Sequence, residues 1–325
     1  MDIVCDLASL PPFSRGSAVT IGNFDGVHLA HQRLLRQTVE LARETGAVPV
    51  AVTFDPHPIR VLAPARAPKT LSTLAERAAL IAAQGMELLV VLRFDRALAH
   101  LSPADFVSRI LVDRLHAVTV VTGPNFRFGY RQAGDIAVLQ QLSLASGFRV
   151  DLVPAVSVRG RQVSSSLIRQ LLTEGNVYGA ARLLGRLFSN AGSVIAGRGA
   201  GRRETVPTLN LAPVEEQIPR PGVYVTSARS GGQDHFAVTN IGYRPTFGEL
   251  PLAIETFLLN FQGDVSEGEL KISYWRRLRD EIKFQNPAML KLQIQEDVRR
   301  AAKFFRLMGR FRRQGEFTLP GGFAG

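Results

Sequence analysis

Short apolar runs alternate with longer amphipathic stretches through the first half of the chain. Ala18–Ile21, Val48–Phe54, Leu88–Phe94, Ala117–Val121 and Phe148–Val153 have strand length and are apolar almost throughout. Helical patterns separate them. Leu34, Leu35, Val39 and Ala42 fall on one helical face, and Ser102-Pro103 pairs a capping serine with proline at a first helical position. Strands that are apolar on both faces and separated by helices predict a parallel sheet covered on both sides. From about Ala191 the pattern becomes strand, turn, strand: Ser193–Ala196, Val223–Arg229, Phe236–Ile241, Ile254–Phe261 and Leu270–Trp275. The glycines of Arg229–Asp234 mark a hairpin turn, and Asn286-Pro287 opens a long helix that ends near Met308. This half predicts an antiparallel β-barrel with one closing helix. The fold class is therefore α/β plus all-β.

Composition adds bounds to that picture. With 325 residues, 46% hydrophobic and 21% charged, the chain is long and apolar enough for two cores, which excludes wholesale disorder. A single cysteine, Cys5, excludes an internal disulfide and a cysteine-based zinc cluster. No run approaches the ~18 consecutive apolar residues of a membrane helix, and Met1–Arg15 lacks the pattern of a signal peptide. A soluble, cytoplasmic protein is expected. The net charge of +11 is concentrated near the end: Val298–Gln314 carries seven basic residues and no acid. That fits polyanionic partners, and it fits compositional bias equally well.

Strand one runs into Gly22-Asn-Phe-Asp-Gly-Val-His-Leu-Ala-His31. A glycine-bearing turn between a buried strand and a helix offers backbone N–H groups and a helix dipole to phosphate. His28 and His31, three residues apart, share one face of the first turn. They could donate hydrogen bonds to a phosphate in a transition state; a zinc pair or two ordinary histidines fit the same spacing. No GxxxxGK[ST] element is present, so this is not a P-loop. Other segments fall where strands of the parallel sheet should end, the edge at which such folds bind ligands. They are Phe54-Asp-Pro-His-Pro58, Gly123–Gly129 with Asn125, Gly134-Asp135, Arg159-Gly-Arg161, and Ser164-Ser165-Ser166-Leu-Ile-Arg169. Singly they read as turns and helix caps. Together and in this order they exceed chance, and the last, a serine-rich helix start with an arginine one turn in, suits a polyphosphate.

The combination resembles the bacterial bifunctional riboflavin kinase/FAD synthetase family. Gly22–His31 is similar to its nucleotidyltransferase H-x-G-H signature, with Ala30 where the family has glycine. Phe54–Pro58, Asn125–Gly129 and Ser164–Arg169 match further adenylyltransferase segments. The resemblance implies adenylyl transfer from Mg-ATP to FMN, with His28 and His31 at the ATP phosphates. Gly22, Asn125, Arg161, Ser164, Ser165, Ser166 and Arg169 would complete the cradle. Phe24 and Asp25 sit where they could contact nucleotide or flavin, and they fit core and turn roles as well.

The second half holds Gly197-Arg-Gly-Ala-Gly201 followed by Val206-Pro-Thr208-Leu-Asn210. Glycines let backbone amides approach phosphate. Thr208 and Asn210 present oxygens at alternate positions, on one strand face, which suits magnesium held with ATP; a surface turn and edge strand fit too. The segment is similar to the riboflavin kinase Pro-Thr-x-Asn motif, with Thr205 where the family usually has glycine. Gly222–Tyr224, Asn240–Phe247, Ile254–Thr256 and Arg277–Phe284 follow the kinase order. Glu255 shares a strand face with Phe257, Leu259 and Phe261. The resemblance makes it the base that deprotonates the ribityl hydroxyl of riboflavin, with Arg279 and Phe284 bordering the flavin.

Residues 1–186 are thus expected to form the adenylyltransferase, 187–311 the kinase and 312–325 a tail. Mg²⁺, ATP, riboflavin and FMN are the expected ligands, without nucleic acid or membrane; because members of the family can self-associate, a homo-oligomer is a further expectation. Two other readings stand beside this one. A chain with only one activity is distinguished by separate half-reaction assays. Nucleic-acid binding by the basic helix is marked by steep salt dependence.

Overall fold

The computed structural model of the chain describes residues 1–10, 12–195, 209–243, 252–259 and 268–313. It divides into two compact units, Met1–Ser165 and Ser166–Gly325.

The first unit is a parallel sheet in the order β1-β4-β3-β2-β5-β6. Its strands are β1 (Asp2–Val4), β2 (Ser17–Ile21), β3 (Val48–Asp55), β4 (Leu88–Arg93), β5 (Ala117–Thr122) and β6 (Arg149–Leu152). Helices α1 (Leu29–Thr45), α2 (Pro58–Leu62), α3 (Leu74–Ala82), α4 (Arg96–Ala99), α5 (Pro103–Phe106) and α6 (Ile136–Ser146) lie between them. All five apolar runs of the sequence are strands, within one or two residues at their ends. The edge strand β1 is an addition: three residues, mostly exposed, too short to leave a periodic signal. The inner strands β2, β3 and β4 are buried almost throughout, which explains their unbroken apolar runs. One core layer joins Val19, Val50, Val90 and Val120 to Phe106, Ile110 and Leu139. The other packs Phe24, Val27, Leu35 and Val39 against Ala51, Leu89, Ala78 and Ile81. The strand order reverses between β2 and β5, and ligands of open α/β sheets bind outside the strand ends at such a point. A short hairpin, β7 (Ser157–Val158) and β8 (Arg161–Gln162), follows β6.

The second unit begins with helices α7, whose first residue is Ser165 (Ser165–Thr173), and α8 (Val177–Leu184). It then closes a six-stranded antiparallel barrel, β10-β13-β12-β11-β14-β9. The strands are β9 (Phe188–Ile195), β10 (Leu209–Leu211), β11 (Gly222–Ser230), β12 (Gln233–Tyr243), β13 (Leu252–Leu258) and β14 (Glu269–Arg279). The β11–β12 hairpin turns at Gly231 and Gly232, whose φ values of 57° and 78° favour glycine. Inside the barrel, Thr226, Thr239 and Thr256 are fully buried and link hydroxyl to hydroxyl at 2.8 and 2.9 Å. Tyr274 lies edge-on to Tyr224, and burial pushes its phenol above the ordinary range. The final helix α9 runs Pro287–Arg313, five residues beyond the expected end. Its Ala301, Val298, Phe304 and Phe305 pack on Val223, Val225, Val238 and Trp275 of the barrel's outer face. Among the described residues no helix is long and apolar enough to cross a membrane.

Two candidate active sites

At the end of β2 the chain enters a tight turn. Phe24 and Val27 take left-handed backbone angles, φ 47° and 37°, around Gly26 at 76°. For residues with side chains such angles cost about 1–3 kcal/mol each. The turn is held from several sides. Phe24 is buried in the core beneath α1, and its ring lies close over Gly22, where a Cβ would stand 3.3 Å from it. An Asp25 carboxylate oxygen accepts the Leu71 N–H at 2.8 Å, and the Gly26 N–H donates to Ser72 Oγ at 3.2 Å. The Ser165 hydroxyl donates to the Asp25 carbonyl at 3.0 Å, which brings the first residue of α7 to this turn.

His28 is the N-cap of α1: its Nδ1 accepts the His31 N–H at 3.4 Å. A neutral ring accepting at Nδ1 carries its proton on Nε2, which leaves that atom as the donor. The His31 ring stacks on His28 with centroids 3.6 Å apart and meets the edge of Phe24 at 5.3 Å. Burial above all, then the His28 and Arg77 charges, holds the His31 imidazole well below its ordinary pKa of 6.5. The His31 ring is therefore held as a neutral hydrogen-bond donor rather than a cation. Asn125 is exposed in the loop that leaves β5, the strand beside β2. Arg161 is exposed on β8; Ser164, Ser165 and Arg169 are half-buried and Ser166 is exposed. Ala30 lies in the first turn of α1 with ordinary helical backbone, so its methyl adds no strain.

In the barrel, strand register gathers the second set. Asn210 of β10 pairs with Glu255 of β13, Glu255 with Asn240 of β12, Asn240 with Val223 of β11, and Val223 with Arg279 of β14. Residues opposite one another across neighbouring strands point to the same face. Asn210, Glu255, Asn240 and Arg279 thus form one row on the outer face. Asn210 is 3% exposed; Glu255 and Asn240 are half-buried. Arg279 is held by α9: its Nε and Nη2 donate to the Asp297 carboxylate at 3.0 and 2.7 Å, and Nη1 donates to the Asp280 carbonyl at 2.9 Å. Phe284 is half-buried in the segment between β14 and α9. Gly197, Gly201, Thr205, Thr208 and Phe261 lie outside the described residues. The amide oxygen of Asn210, on the face it shares with Glu255, is a hard donor of the kind that magnesium takes. No cluster of three or more His, Cys, Asp or Glu with metal-binding geometry occurs among the described residues.

The family model of FAD synthetase matches residues 10–167, and that of riboflavin kinase matches 184–305. The chain is 38% identical, over 92% of its length, to the bifunctional riboflavin kinase/FMN adenylyltransferase of Pseudomonas fluorescens, 96% of which is covered. It belongs to that family. The Escherichia coli K12 member is 33% identical over 90% of this chain and 94% of its own. A solved structure described as a macrolide-efflux protein from Streptococcus pneumoniae superposes with a TM-score of 0.82 at 27% identity, covering 91% of this chain and 96% of that one. As a bifunctional riboflavin kinase/FMN adenylyltransferase family member, the chain is a transferase. Each half carries one ATP-dependent reaction.

Three residues of these sites escape a reading of the sequence alone. Arg77 is 3% exposed in α3, against the turn's neighbours. Its only signal is its place three residues after Leu74 and four before Ile81, on the helix's apolar face. Asn240 was visible as part of a kinase-like segment, but its pairing with Glu255 depends on register. Asp297, 2% exposed, reads in sequence as one more charge on a charged helix.

Proposed function

We infer that this chain phosphorylates riboflavin to FMN in its second unit and adenylylates FMN to FAD in its first. The observation that carries the assignment is the placement of one reactive set in each unit: the stacked histidines at the sheet's switch point, and the Asn210–Glu255–Asn240 row on the barrel. Residues 1–186 are assigned to the adenylyltransferase and 187–311 to the kinase, with 312–325 as a tail. Residues 168–183, between the two family matches, include most of α7 and α8.

In adenylyl transfer an FMN phosphate oxygen attacks the α-phosphorus of ATP. The bond to the bridging oxygen breaks and pyrophosphate leaves. His28 and His31 donate N–H groups to the phosphates, stabilising charge that grows in the transition state. The β2–α1 turn, Asn125, Arg161, Ser164 and Ser165 hold and align the two anions. In the kinase reaction Glu255 accepts the proton of the riboflavin 5′-hydroxyl as that oxygen attacks the γ-phosphorus and ADP leaves. Asn210, with Thr208, would hold a magnesium ion. When bound, that ion neutralises phosphate charge. Arg279 and Phe284 border the flavin, with Arg279 fixed in place by Asp297.

The partners are then ATP, riboflavin and FMN, in the cytoplasm, without nucleic acid or membrane and with a second copy of the chain as an expected partner. The test assays each half-reaction on the full chain. His28→Ala should abolish FAD formation from FMN while riboflavin phosphorylation continues; Glu255→Gln should do the reverse. Loss of both activities in either variant contradicts the assignment.

A further inference from the structure

One buried cation beside the first site has no part in the reaction just described. Arg77 is 3% exposed, and its Nη1 donates to Thr53 Oγ1 at 3.1 Å and to the Phe54 carbonyl at 3.3 Å. Thr53 Oγ1, itself fully buried, passes a hydrogen bond on to the Asn23 carbonyl at 3.2 Å. A single guanidinium therefore ties the end of β3 to the loop that leaves β2. Its Nε is buried without a hydrogen-bond partner. A buried, incompletely satisfied charge is costly, and apolar side chains of similar volume often stabilise such sites better. Packing alone does not call for it, because Ala78 and Ile81 already seat α3 on the core.

We propose that Arg77 is a positioning residue for adenylyl transfer, clamping through Thr53 the turn that leads into His28 and His31 at the start of α1. The proposal rests on the assignment of those histidines to adenylyl transfer. Asn23, the residue held, immediately precedes the left-handed run of Phe24, Gly26 and Val27. A strained turn keeps its shape only while its surroundings over-determine it. The clamp supplies a fixed point at the turn's start, as the Asp25–Leu71 and Ser165–Asp25 bonds do at its middle.

The clamp is also a charge. The groups that face it are the Asp25 and Asp55 carboxylates, which favour its charged form against the effect of burial, and the imidazole of His31. Arg77 opposes protonation of His31, so its cation keeps that ring a neutral donor to lower pH. A role in packing alone has no such signature.

The experiment measures FAD formation from FMN and ATP against pH with the full-length enzyme. It compares wild type, Thr53→Val, Arg77→Lys, Arg77→Met and, as reference, His28→Ala. Thr53→Val keeps the cation and removes the link. It should lower kcat by about 10- to 100-fold, the scale set by a misplacement of about 1 Å, with the acid limb of the profile unmoved. Arg77→Met should lose kcat similarly and shift the acid limb to higher pH. Arg77→Lys should restore the limb while recovering kcat only in part. If thermal melts show that Arg77→Met does not fold, Thr53→Val and Arg77→Lys carry the test. Wild-type kcat and an unmoved limb in the Thr53 and Arg77 variants, with His28→Ala inactive, overturn the proposal and leave the site assignment standing. A raised KM for ATP with unchanged kcat also overturns it, because positioning acts on the transition state. An active His28→Ala instead overturns the assignment beneath it.

Discussion

Glu255 illustrates how much a single residue owes to its register. Its neighbours along β13, Ile254 and Thr256, point into the barrel, so Glu255 points out, between Asn210 and Asn240. A one-residue slip would bury the carboxylate and expose the threonine ladder. Replacing Glu255 by Gln keeps the shape and removes the base. The kinase rate should fall by about 10²- to 10⁴-fold, read as FMN formed from riboflavin, while the barrel's thermal stability is retained. His31 makes a second prediction at this scale. Its folded-state pKa lies below the ordinary 6.5, so the unfolded chain binds the proton first as pH falls. The corresponding stability is present above pH 6.5 and is lost below it, with a slope of at most about 1.4 kcal/mol per pH unit from this group. Denaturant titrations at pH 7.5 and 5.5, for wild type and His31→Gln, check the sign. The variant should lose less stability on acidification.

Among elements, α9 decides the outer face of the barrel. Phe304 and Phe305 pack against Trp275, and Phe305 stacks on Phe236 with centroids 4.0 Å apart. Phe304 and Phe305 of this basic helix therefore serve its own barrel, and the salt bridge of Arg299 to Glu296 answers part of its charge. The Arg279–Asp297 pair fixes the helix beside the Glu255 row, with side chains only 15% and 3% exposed. Asp297→Ala leaves a largely buried arginine without its carboxylate, so the second unit should lose up to about 3 kcal/mol, measured by denaturant unfolding. Riboflavin phosphorylation should weaken with it. The strands themselves were largely legible, because an inner parallel strand must be apolar on both faces, and β2, β3 and β4 are. The barrel was expected from its succession of strands and turns, but the pairing that closes it was not legible. It depends on β10 pairing with both β9 and β13 over two or three residues, a non-local register that no local pattern encodes. The same reason hid Asn240 beside Glu255. Arg77 was missed because an arginine on a short helix reads as surface until the neighbouring β3 is placed.

Across the whole molecule, the account places two reactions on one chain, each with its own compact unit, set of reactive residues and family match. Separate sites make the activities separable. An equimolar mixture of His28→Ala and Glu255→Gln chains should make FAD from riboflavin through released FMN, although neither chain does so alone. The most direct test is product analysis of the wild-type enzyme: riboflavin, ATP and Mg²⁺ are incubated with it, and riboflavin, FMN and FAD are resolved by chromatography over time. The account predicts FMN appearing first and FAD after it, with pyrophosphate released in step with FAD. FMN that accumulates without FAD, or riboflavin left unconverted while added FMN becomes FAD, would contradict the claim that both sites on this chain are active.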